Sequence, residues 1–334
     1  MPEFNLRKFN LRKRDFFKVF ALSSFYLHVC LASAQSSFPN RPVKIVVPFP
    51  PGALTDSNAR LLAAQLQLLW QQPVVVENRP GASGNIGTEV VYRSKADGYT
   101  LLFTPQSPLT LAKLLAPQLN FDPENMSAVS MVSRSTVLMV VNPKLPVRNV
   151  QQLIAYGLAN PGKLNFASTG VGTTAQLAND LFFKISKVQG VSIPYQGIAQ
   201  ATTALLAGDV DVLFDAMGNS LGNIKSGKLK AIAVCGNSRN PNLPDVESTS
   251  ESMPEFIAPL WSALAGPPNL PTDIAKKISQ DVAQALRSPE FVTRFSQTPG
   301  LEAVGSRPEE MQQAIKQETQ IYSQLFKTIN LPKE

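Results

Sequence analysis

The fold is decided by the stretch Val43-Lys-Ile-Val-Val-Pro-Phe-Pro-Pro-Gly-Ala-Leu-Thr-Asp56. Its apolar beginning, Val43 to Val47, is typical of a buried strand. The prolines that follow end this strand, because proline has no N–H group for a sheet ladder, and Gly52 lets the backbone turn sharply. Thr55 or Asp56 is predicted to cap a helix. The unpaired N–H groups and the positive dipole end of that helix would form a place where anions bind.

The same order of strand, loop and helix recurs along the chain. A second apolar run, Pro73 to Glu77, leads into the glycine-rich loop Asn78–Gly87, and a third run covers Tyr99 to Thr104. In the second half, Lys163 to Ala167 leads into another polar, glycine-containing loop, Ser168–Thr174. Repeated units of this kind predict parallel α/β sheets with helices on their faces.

The length and the composition leave room for two such sheets. The chain has 334 residues, of which 44% are hydrophobic and 16% are charged, an ordinary globular balance. We predict two Rossmann-like α/β lobes with a ligand cleft between them. Lobe 1 is discontinuous and takes residues 35–140 and 259–334, and lobe 2 takes residues 141–258.

The N-terminus has the features of a secretory signal. A basic segment precedes the apolar stretch Val19 to Leu31, and Ala32-Ser33-Ala34 fits an A-x-A cleavage site. We therefore predict that residues 1–34 are removed on export to the periplasm. Lys13-Arg14 is an incomplete twin-arginine pair, so Sec export is favoured over Tat export. The first eighteen residues carry a net +4 of the chain's +7, and the remaining +3 forms no basic cluster for nucleic acid.

Cleavage would leave a chain with very little catalytic chemistry. It would remove His28, the single histidine of the sequence, and Cys30, so that Cys235 remains as the single cysteine. A mature chain without histidine excludes Ser-His-Asp and Cys-His catalysis and histidine-ligated zinc. One thiol also cannot form an internal disulfide. Cys235 follows the apolar run Ala231 to Val234 and is predicted to be a small buried core residue.

Polar loops follow six of the predicted strands. In open α/β sheets, ligands bind at the carboxyl ends of strands, and two facing lobes would enclose a small molecule. Arg79 is the single Arg or Lys in these loops, so an anion would be held mainly by backbone N–H groups, hydroxyls, amides and water. Ordinary turn chemistry is the alternative for any one loop taken alone. The loops are Phe49–Asp56, Asn78–Asn85, Thr104–Ser107, Ser168–Thr174, Tyr195–Gly197 and Asp215–Gly218.

One loop also fits a dinucleotide-binding pattern. Gly170-Val-Gly172-Thr-Thr-Ala175 matches G-x-G-x-x-G/A between a strand and a helix. That fingerprint also needs an acidic residue about 20 positions later to hold the ribose, and the segment Ser192 to Gly197 contains none. We therefore predict no cofactor and no metal. An α/β enzyme with a nucleotide cofactor is kept as the alternative function.

Several motifs together resemble one family. The chain is similar to the Bug family of TctC-like periplasmic receptors, which serve tripartite tricarboxylate transporters, from Phe38 to Asn330. The resemblance implies a type II periplasmic binding protein fold, whose two lobes close like a Venus flytrap over a small carboxylate. The motifs are Pro48-Phe-Pro-Pro-Gly52, Glu77-Asn-Arg-Pro-Gly81, Gly84-Asn-Ile-Gly87, Asp97-Gly-Tyr-Thr-Leu101, Tyr195-Gln-Gly197 and Leu206-Ala-Gly-Asp-Val-Asp211.

The resemblance also implies a set of ligand-binding residues on the loops of both lobes. The predicted set, completed by Ala53 and Tyr195, is Phe49, Gly52, Ala53, Thr55, Asp56, Ser83, Ser168, Thr169, Thr173, Thr174, Tyr195, Asp215 and Ala216. Asp56 would repel an anion directly, so it is expected to act through the backbone, through water, or on a hydroxyl or ammonium of the ligand. The sequence departs from the family pattern at Ala53 and Ser83, where glycine is frequent, and at Gln176, where histidine is frequent.

The predicted function follows from the resemblance. The mature chain is expected to be a monomeric, non-enzymatic receptor for a small organic carboxylate: a di- or tricarboxylate, an amino acid or an aromatic acid. It would capture this ligand by hinge closure and deliver it to membrane transporter subunits. A sensory receptor that feeds a signalling protein is a further alternative. For the site, we expect the loss of the Thr173 hydroxyl to weaken binding by about tenfold while the unliganded protein stays folded.

Overall fold

The computed structural model describes residues 38–52, 54–170, 173–256 and 258–327. The predicted signal peptide and the predicted site residue Ala53 lie outside these residues. Within the described ranges, no helix is both long enough and apolar enough to cross a membrane.

Eleven described strands form two sheets. The first sheet has the strand order β11-β4-β10-β3-β1-β2, and the second has the order β7-β6-β8-β5-β9. The strands are β1 (Val43–Val47), β2 (Val74–Asn78), β3 (Thr100–Pro105), β4 (Ser127–Ser135), β5 (Val137–Val141), β6 (Asn165–Ser168), β7 (Val191–Pro194), β8 (Val212–Ala216), β9 (Lys230–Val234), β10 (Trp261–Gly266) and β11 (Leu301–Ala303).

Helices connect these strands. Short 3-10 helices cover Ala82–Gly84 and Pro123–Asn125. The α-helices are α1 (Leu54–Trp70), α2 (Asn85–Tyr92), α3 (Ser107–Thr110), α4 (Ala112–Leu115), α5 (Val150–Ala159), α6 (Thr174–Ser186), α7 (Ile198–Ala207), α8 (Met217–Lys225), α9 (Thr249–Ser252), α10 (Thr272–Ala285), α11 (Pro289–Ser296) and α12 (Pro308–Phe326).

Each sheet collects the carboxyl ends of three parallel strands at one edge. In the first sheet β1 lies between β2 and β3 and is parallel to both. In the second sheet β6 lies between β7 and β8 and is parallel to both. The loops that follow these six strands are the six polar loops of the sequence. Parallel pairing therefore places each lobe's polar loops side by side.

In each sheet, the end at which the parallel strands terminate is called here its carboxyl edge. The two carboxyl edges meet where the chain crosses between the sheets. β4 ends at Ser135 and β5 begins at Val137, so Thr136 alone separates the first sheet from the second. Val137 pairs with Ala216 at the carboxyl end of β8. The return crossing lies between β9 and β10, and β10 begins beside the carboxyl end of β3. β5 therefore belongs to the second sheet, whereas the predicted lobe boundary placed residues 137–140 in lobe 1.

Each lobe has its own apolar core. Val43 and Ile45 to Val47 of β1 are buried in the first lobe, as the apolar run predicts. In the second lobe Phe166, Phe182 and Phe214 pack in one aromatic cluster with ring centroids 5.4–6.4 Å apart. Cys235 is buried in the same core, which confirms its prediction, and burial raises the pKa of its thiol.

The apolar pattern of the sequence predicts no strand at β4, although β4 lies between β11 and β10 in the first sheet. Its serines interrupt the apolar run, although Ser130 and Ser133 are buried. The Ser130 hydroxyl donates to the backbone oxygen of Ser306 at 2.8 Å, and the Ser133 and Ser262 hydroxyls lie 2.6 Å apart. Buried hydroxyls that find such partners are compatible with a core strand.

Candidate ligand-binding site

The first loop of the site is fastened by Asp56. Asp56 is 3% exposed, and its carboxylate accepts hydrogen bonds from the Gly52 N–H at 2.9 Å and from Arg60 Nε at 3.0 Å. Helix α1 begins at Leu54, so Asp56 lies within its first turn. The prediction that Thr55 or Asp56 caps this helix is therefore wrong. The reason is that the Asp56 carboxylate reaches back to the loop instead.

The partners of Asp56 also set its charge. Burial favours the neutral acid and by itself raises the pKa of Asp56. Hydrogen bonds from Arg60, from the Gly52 N–H and from Asn78 outweigh burial, so the pKa lies below its ordinary value. The carboxylate is therefore negative at neutral pH, and its oxygens accept hydrogen bonds from groups of the protein itself. Asp56 holds the shape of the loop.

Asn78 ties this loop to the neighbouring strand and was not among the predicted site residues. Its Nδ2 donates to the backbone oxygen of Phe49 at 3.0 Å and to Asp56 Oδ1 at 2.9 Å. Its Oδ1 accepts from Arg60 Nη2 at 2.9 Å. The signal available in the sequence was the position of Asn78 at the end of β2. Its partners lie 18 to 29 residues away along the chain.

The glycine-rich loop has an unusual backbone. Ala82 and Ser83 adopt left-handed φ values of 45° and 53°, and Gly84 follows at 96°. Two consecutive non-glycine residues in this region carry strain of the kind that collects at ligand-binding sites. Ser83 itself is exposed. A Cβ atom on Gly84 would lie 3.3 Å from Phe49 Cζ and 3.0 Å from Pro108 Cγ, so this loop lies against the loop that follows β1 and against the start of α3.

The second lobe fastens its loop with a hydroxyl. The Thr173 hydroxyl donates to the backbone oxygen of Gly170 at 2.8 Å and accepts from the Gln176 N–H at 3.5 Å, which makes Thr173 the N-cap of α6. Thr169 and Thr174 are half-buried, and Ser168 is buried at the end of β6. Thr173 already holds the unliganded loop. Losing this hydroxyl should therefore weaken the start of α6 as well as binding, and the expectation that the unliganded protein stays folded stays a prediction.

The end of β8 carries a buried carboxylate with neutral partners. Asp215 is 3% exposed, and its oxygens accept from Asn219 Nδ2 at 2.9 Å and from Ser220 Oγ at 2.5 Å. Burial raises the pKa of Asp215, and the hydrogen bonds from Ser220, Asn219 and the Ala216 backbone offset only part of this effect. Ala216 is half-buried, and Tyr195, also half-buried, donates its N–H to the Ser168 oxygen at 2.9 Å.

A direct contact joins the two edges. Gln106, which follows β3 in the first lobe, donates from Nε2 to Thr174 Oγ1 at the start of α6, and the two atoms are 3.3 Å apart. The structure therefore places the predicted site residues in two groups at meeting edges of the lobes. The first-lobe group is Phe49, Gly52, Thr55, Asp56 and Ser83, and the second-lobe group is Ser168, Thr169, Thr173, Thr174, Tyr195, Asp215 and Ala216.

Comparison with known proteins decides the family. The family described as the tripartite tricarboxylate transporter family receptor, TctC, matches residues 58–331. The chain belongs to this family. The receptor is 37% identical over 290 residues to Protein BugT of Bordetella pertussis, an alignment that covers 86% of the receptor and 89% of BugT.

Solved structures support the same conclusion. The receptor resembles MatC of Rhodopseudomonas palustris with bound malate, with 28% identity and a TM-score of 0.72 over 86% of the receptor and 100% of MatC. It also resembles a protein of R. palustris with adipate, with 30% identity and a TM-score of 0.73 over 87% of the receptor and 98% of that protein.

These findings confirm the predicted Bug-family membership and the two-lobe type II fold. Since the family consists of periplasmic solute-binding receptors, the protein is a receptor and not an enzyme, and the nucleotide-dependent alternative falls away. The roles of the individual site residues stay predictions.

Proposed function

We propose that this receptor captures a small organic carboxylate in the periplasm and delivers it to the membrane subunits of a tripartite tricarboxylate transporter. The observation that carries the proposal is the contact between Gln106 and Thr174, which brings the first-lobe loops to the start of α6. The relatives solved with malate and with adipate support a carboxylate as the ligand, because both of those compounds are dicarboxylates.

The charges around the two loops favour recognition by dipoles and hydroxyls. Arg79, the single cation of the polar loops, is paired with Glu77, and Arg60 is paired with Asp56. A ligand carboxylate would therefore depend on N–H groups at the starts of α1 and α6 and on hydroxyls such as those of Thr55 and Thr174. Each such hydrogen bond contributes about 1 kcal/mol, and more when it is made to a charged group.

Closure of the two lobes would tell the transporter that a ligand is bound. A ligand that contacts both lobes favours the closed arrangement by its difference in affinity for the two states. The crossings at Thr136 and between β9 and β10 are the segments that would bend, as in other two-lobed binding proteins. The transporter would then recognise the closed form. Ser83 and Ala53, where this sequence departs from the family pattern, are the residues that we expect to influence the finer class of ligand: di- or tricarboxylate, amino acid or aromatic acid.

A ligand screen tests the proposal. Mature protein is mixed with succinate, malate, glutarate, adipate, citrate, acidic amino acids and benzoate, and its melting temperature is measured. Mass spectrometry identifies any ligand that co-purifies. A binder at a hundredfold excess over its dissociation constant stabilises the protein by about 2.7 kcal/mol. The fully methylated esters of the same acids serve as controls and should give no shift.

The result that would contradict the proposal is equally clear. Binding of a nicotinamide cofactor without binding of any acid, or chemical turnover of a bound acid, would exclude a carboxylate receptor.

Export is tested separately. We expect mature protein from the periplasm to begin near Gln35, as intact-mass measurement would reveal. An N-terminus at an acylated Cys30 would instead indicate a lipoprotein.

A further inference from the structure

Gln106 is fixed by the segment that returns to the first lobe. The whole residue is 1% exposed. Its Oε1 accepts from the Trp261 N–H at 3.1 Å, and its Nε2 donates to the Pro259 backbone oxygen at 2.7 Å. The Gln106 backbone N–H also donates to the Trp261 oxygen at 3.1 Å. The amide therefore lies in a position set by the crossing between the lobes.

These partners also settle which way the amide points. Trp261 supplies an N–H, which needs the amide oxygen, and Pro259 supplies a carbonyl oxygen, which needs the amide nitrogen. The opposite orientation would face donor with donor and acceptor with acceptor. The nitrogen therefore carries one further hydrogen, and this one reaches Thr174 Oγ1 in the second lobe, 3.3 Å away.

The direction of this last hydrogen bond has a chemical consequence. A hydroxyl has one hydrogen to donate and two lone pairs that accept. Because the amide nitrogen can only donate, the Thr174 hydroxyl must accept from Gln106. Its own hydrogen is then available to donate. Thr174 is the first residue of α6, beside the N-cap Thr173, so its hydroxyl stands among the N–H groups that begin this helix.

We propose that Gln106 is a positioning residue that makes the Thr174 hydroxyl a hydrogen-bond donor to the ligand and thereby selects a ligand group that only accepts, such as a carboxylate. The crossing segment holds the Gln106 amide in the first lobe. The Thr174 hydroxyl is therefore oriented as a donor when the second lobe brings it within reach of this amide. Gln106 thus links the approach of the lobes to carboxylate recognition. The inference rests on the proposed function and adds to it a residue outside the predicted site.

The test is a double-mutant cycle in ligand binding. Wild type, Gln106→Met, Thr174→Val and the double variant are titrated calorimetrically with malate, adipate, succinate, glutarate and citrate. We expect Gln106→Met and Thr174→Val each to weaken binding of the tightest of these acids by about tenfold. In the T174V background, Gln106→Met should change affinity by less than about twofold, because the hydroxyl that it positions is absent. Thr174→Ser keeps the hydroxyl and should bind nearly as wild type does.

A matched control separates positioning from a general loss of stability. Gln65 is a second buried glutamine, and its amide bridges α1 to Glu290 within the first lobe. Gln65→Met therefore makes the same chemical change away from the crossing and should leave affinity unchanged. If Gln106→Met gives no cooperative unfolding transition, Gln106→Glu takes its place in the cycle. That variant keeps the side-chain length and the acceptor for the Trp261 N–H, and it should bind more weakly still.

The outcomes are distinct. Gln106 variants that bind as wild type does, or losses that add in full in the double variant, would overturn the role of Gln106 while leaving the carboxylate receptor intact. A wild-type protein that binds none of the five acids would overturn the proposed function and this inference with it.

Discussion

The loop after β1 and the loop after β6 have the same architecture but are fastened by different chemistry. Each runs from the carboxyl end of a central parallel strand to the start of a helix, and each contains a glycine with positive φ, Gly52 or Gly170. In the first lobe, the negative carboxylate of Asp56 holds the loop with a charged partner, Arg60. In the second lobe, the neutral hydroxyl of Thr173 does so.

The two buried carboxylates of the site differ in the same way, with a charged partner in the first lobe and neutral partners in the second. Asp56 has a guanidinium partner, and its pKa is lowered. Asp215 has neutral donors, and burial dominates, so its pKa is raised. A hydrogen bond from a cation compensates for burial of a charge far better than one from a hydroxyl or an amide. Equivalent positions in the two lobes should therefore respond differently to substitution and to pH.

The largest expected effect is the difference between Asp56→Asn and Asp215→Asn. In Asp56→Asn, the amide presents either its NH2 group, which cannot accept, or its oxygen, which is a weaker acceptor than a carboxylate, to the donors Gly52 and Arg60. We expect this change to lower the unfolding free energy by about 3 kcal/mol. Asp215→Asn removes a poorly compensated buried charge, so its effect should stay below about 1 kcal/mol at pH 7. Urea denaturation of both variants measures the difference. The comparison fails if Asp215→Asn is the more damaging change.

A third buried carboxylate extends the comparison to the crossing. Glu318 of α12 is 8% exposed, and Trp261 Nε1 donates to its Oε1. Its Oε2 has no hydrogen-bond partner among the described residues. Burial raises the pKa of Glu318 to about 7, although Trp261 and the charge of Arg134 act in the opposite direction. This carboxylate resembles Asp215 and differs from Asp56.

The sign of the pH dependence follows from linkage. The folded protein holds the Glu318 proton more tightly than the unfolded chain does, so the contribution to stability is complete below pH 4.5 and is lost as pH rises through about 7. We expect Glu318→Gln to unfold like wild type at pH 4.5 and to be more stable by on the order of 2 kcal/mol at pH 8. Exposed Glu302→Gln is the control. An equal difference at both pH values would mean that Glu318 does not titrate in this range.

The glycines of the two loops are expected to respond alike. Among the described residues outside its chain neighbours, a Cβ on Gly52 would meet no atom within 4 Å, and one on Gly170 would lie 3.9 Å from Thr173 Cγ2 at the nearest, so neither change to alanine clashes with these residues. Their φ values of 83° and 116° should nevertheless make Gly52→Ala and Gly170→Ala cost about 1–2 kcal/mol each. Gly222→Ala lies in α8 at a position without positive φ and should be neutral or stabilising. Thermal melts would refute this if all three variants behaved alike.

The smallest expected effect separates capping from binding in the second lobe. Thr173→Val removes the N-cap of α6 and should lower the unfolding free energy by about 1 kcal/mol. It should also weaken binding by about tenfold if the same loop holds the ligand. Thr173→Ser keeps the cap and serves as the control, and Thr55→Val tests the first lobe, where no such cap is lost. Unchanged unfolding of Thr173→Val, followed in urea, would count against the cap.

The sequence was informative wherever local pattern and burial agree. The strand β1 has the bounds that its apolar run predicts, and β2 and β3 are each shifted by one residue from the predicted runs. The strand β4 could not be predicted in this way, because its serines look polar until Ser306 and Ser262 supply partners from distant parts of the chain. The positions of the loops could also be predicted, because glycine, proline and polar residues mark them locally. The hydrogen-bond partners of the loop residues could not be predicted, because they lie far away along the chain.

By itself, the sequence determined the two α/β lobes and the family, because apolar periodicity and loop motifs are local properties of the chain. It also placed the polar loops at the carboxyl ends of the strands. Tertiary structure decided that Asp56 fastens its own loop, and that Asn78 and Gln106 form hydrogen bonds with residues of the candidate site. The physical reason is that a hydrogen bond needs a donor and an acceptor within about 3 Å. Folding alone brings Gln106 to Pro259, 153 residues later in the chain, and to Thr174 in the other lobe.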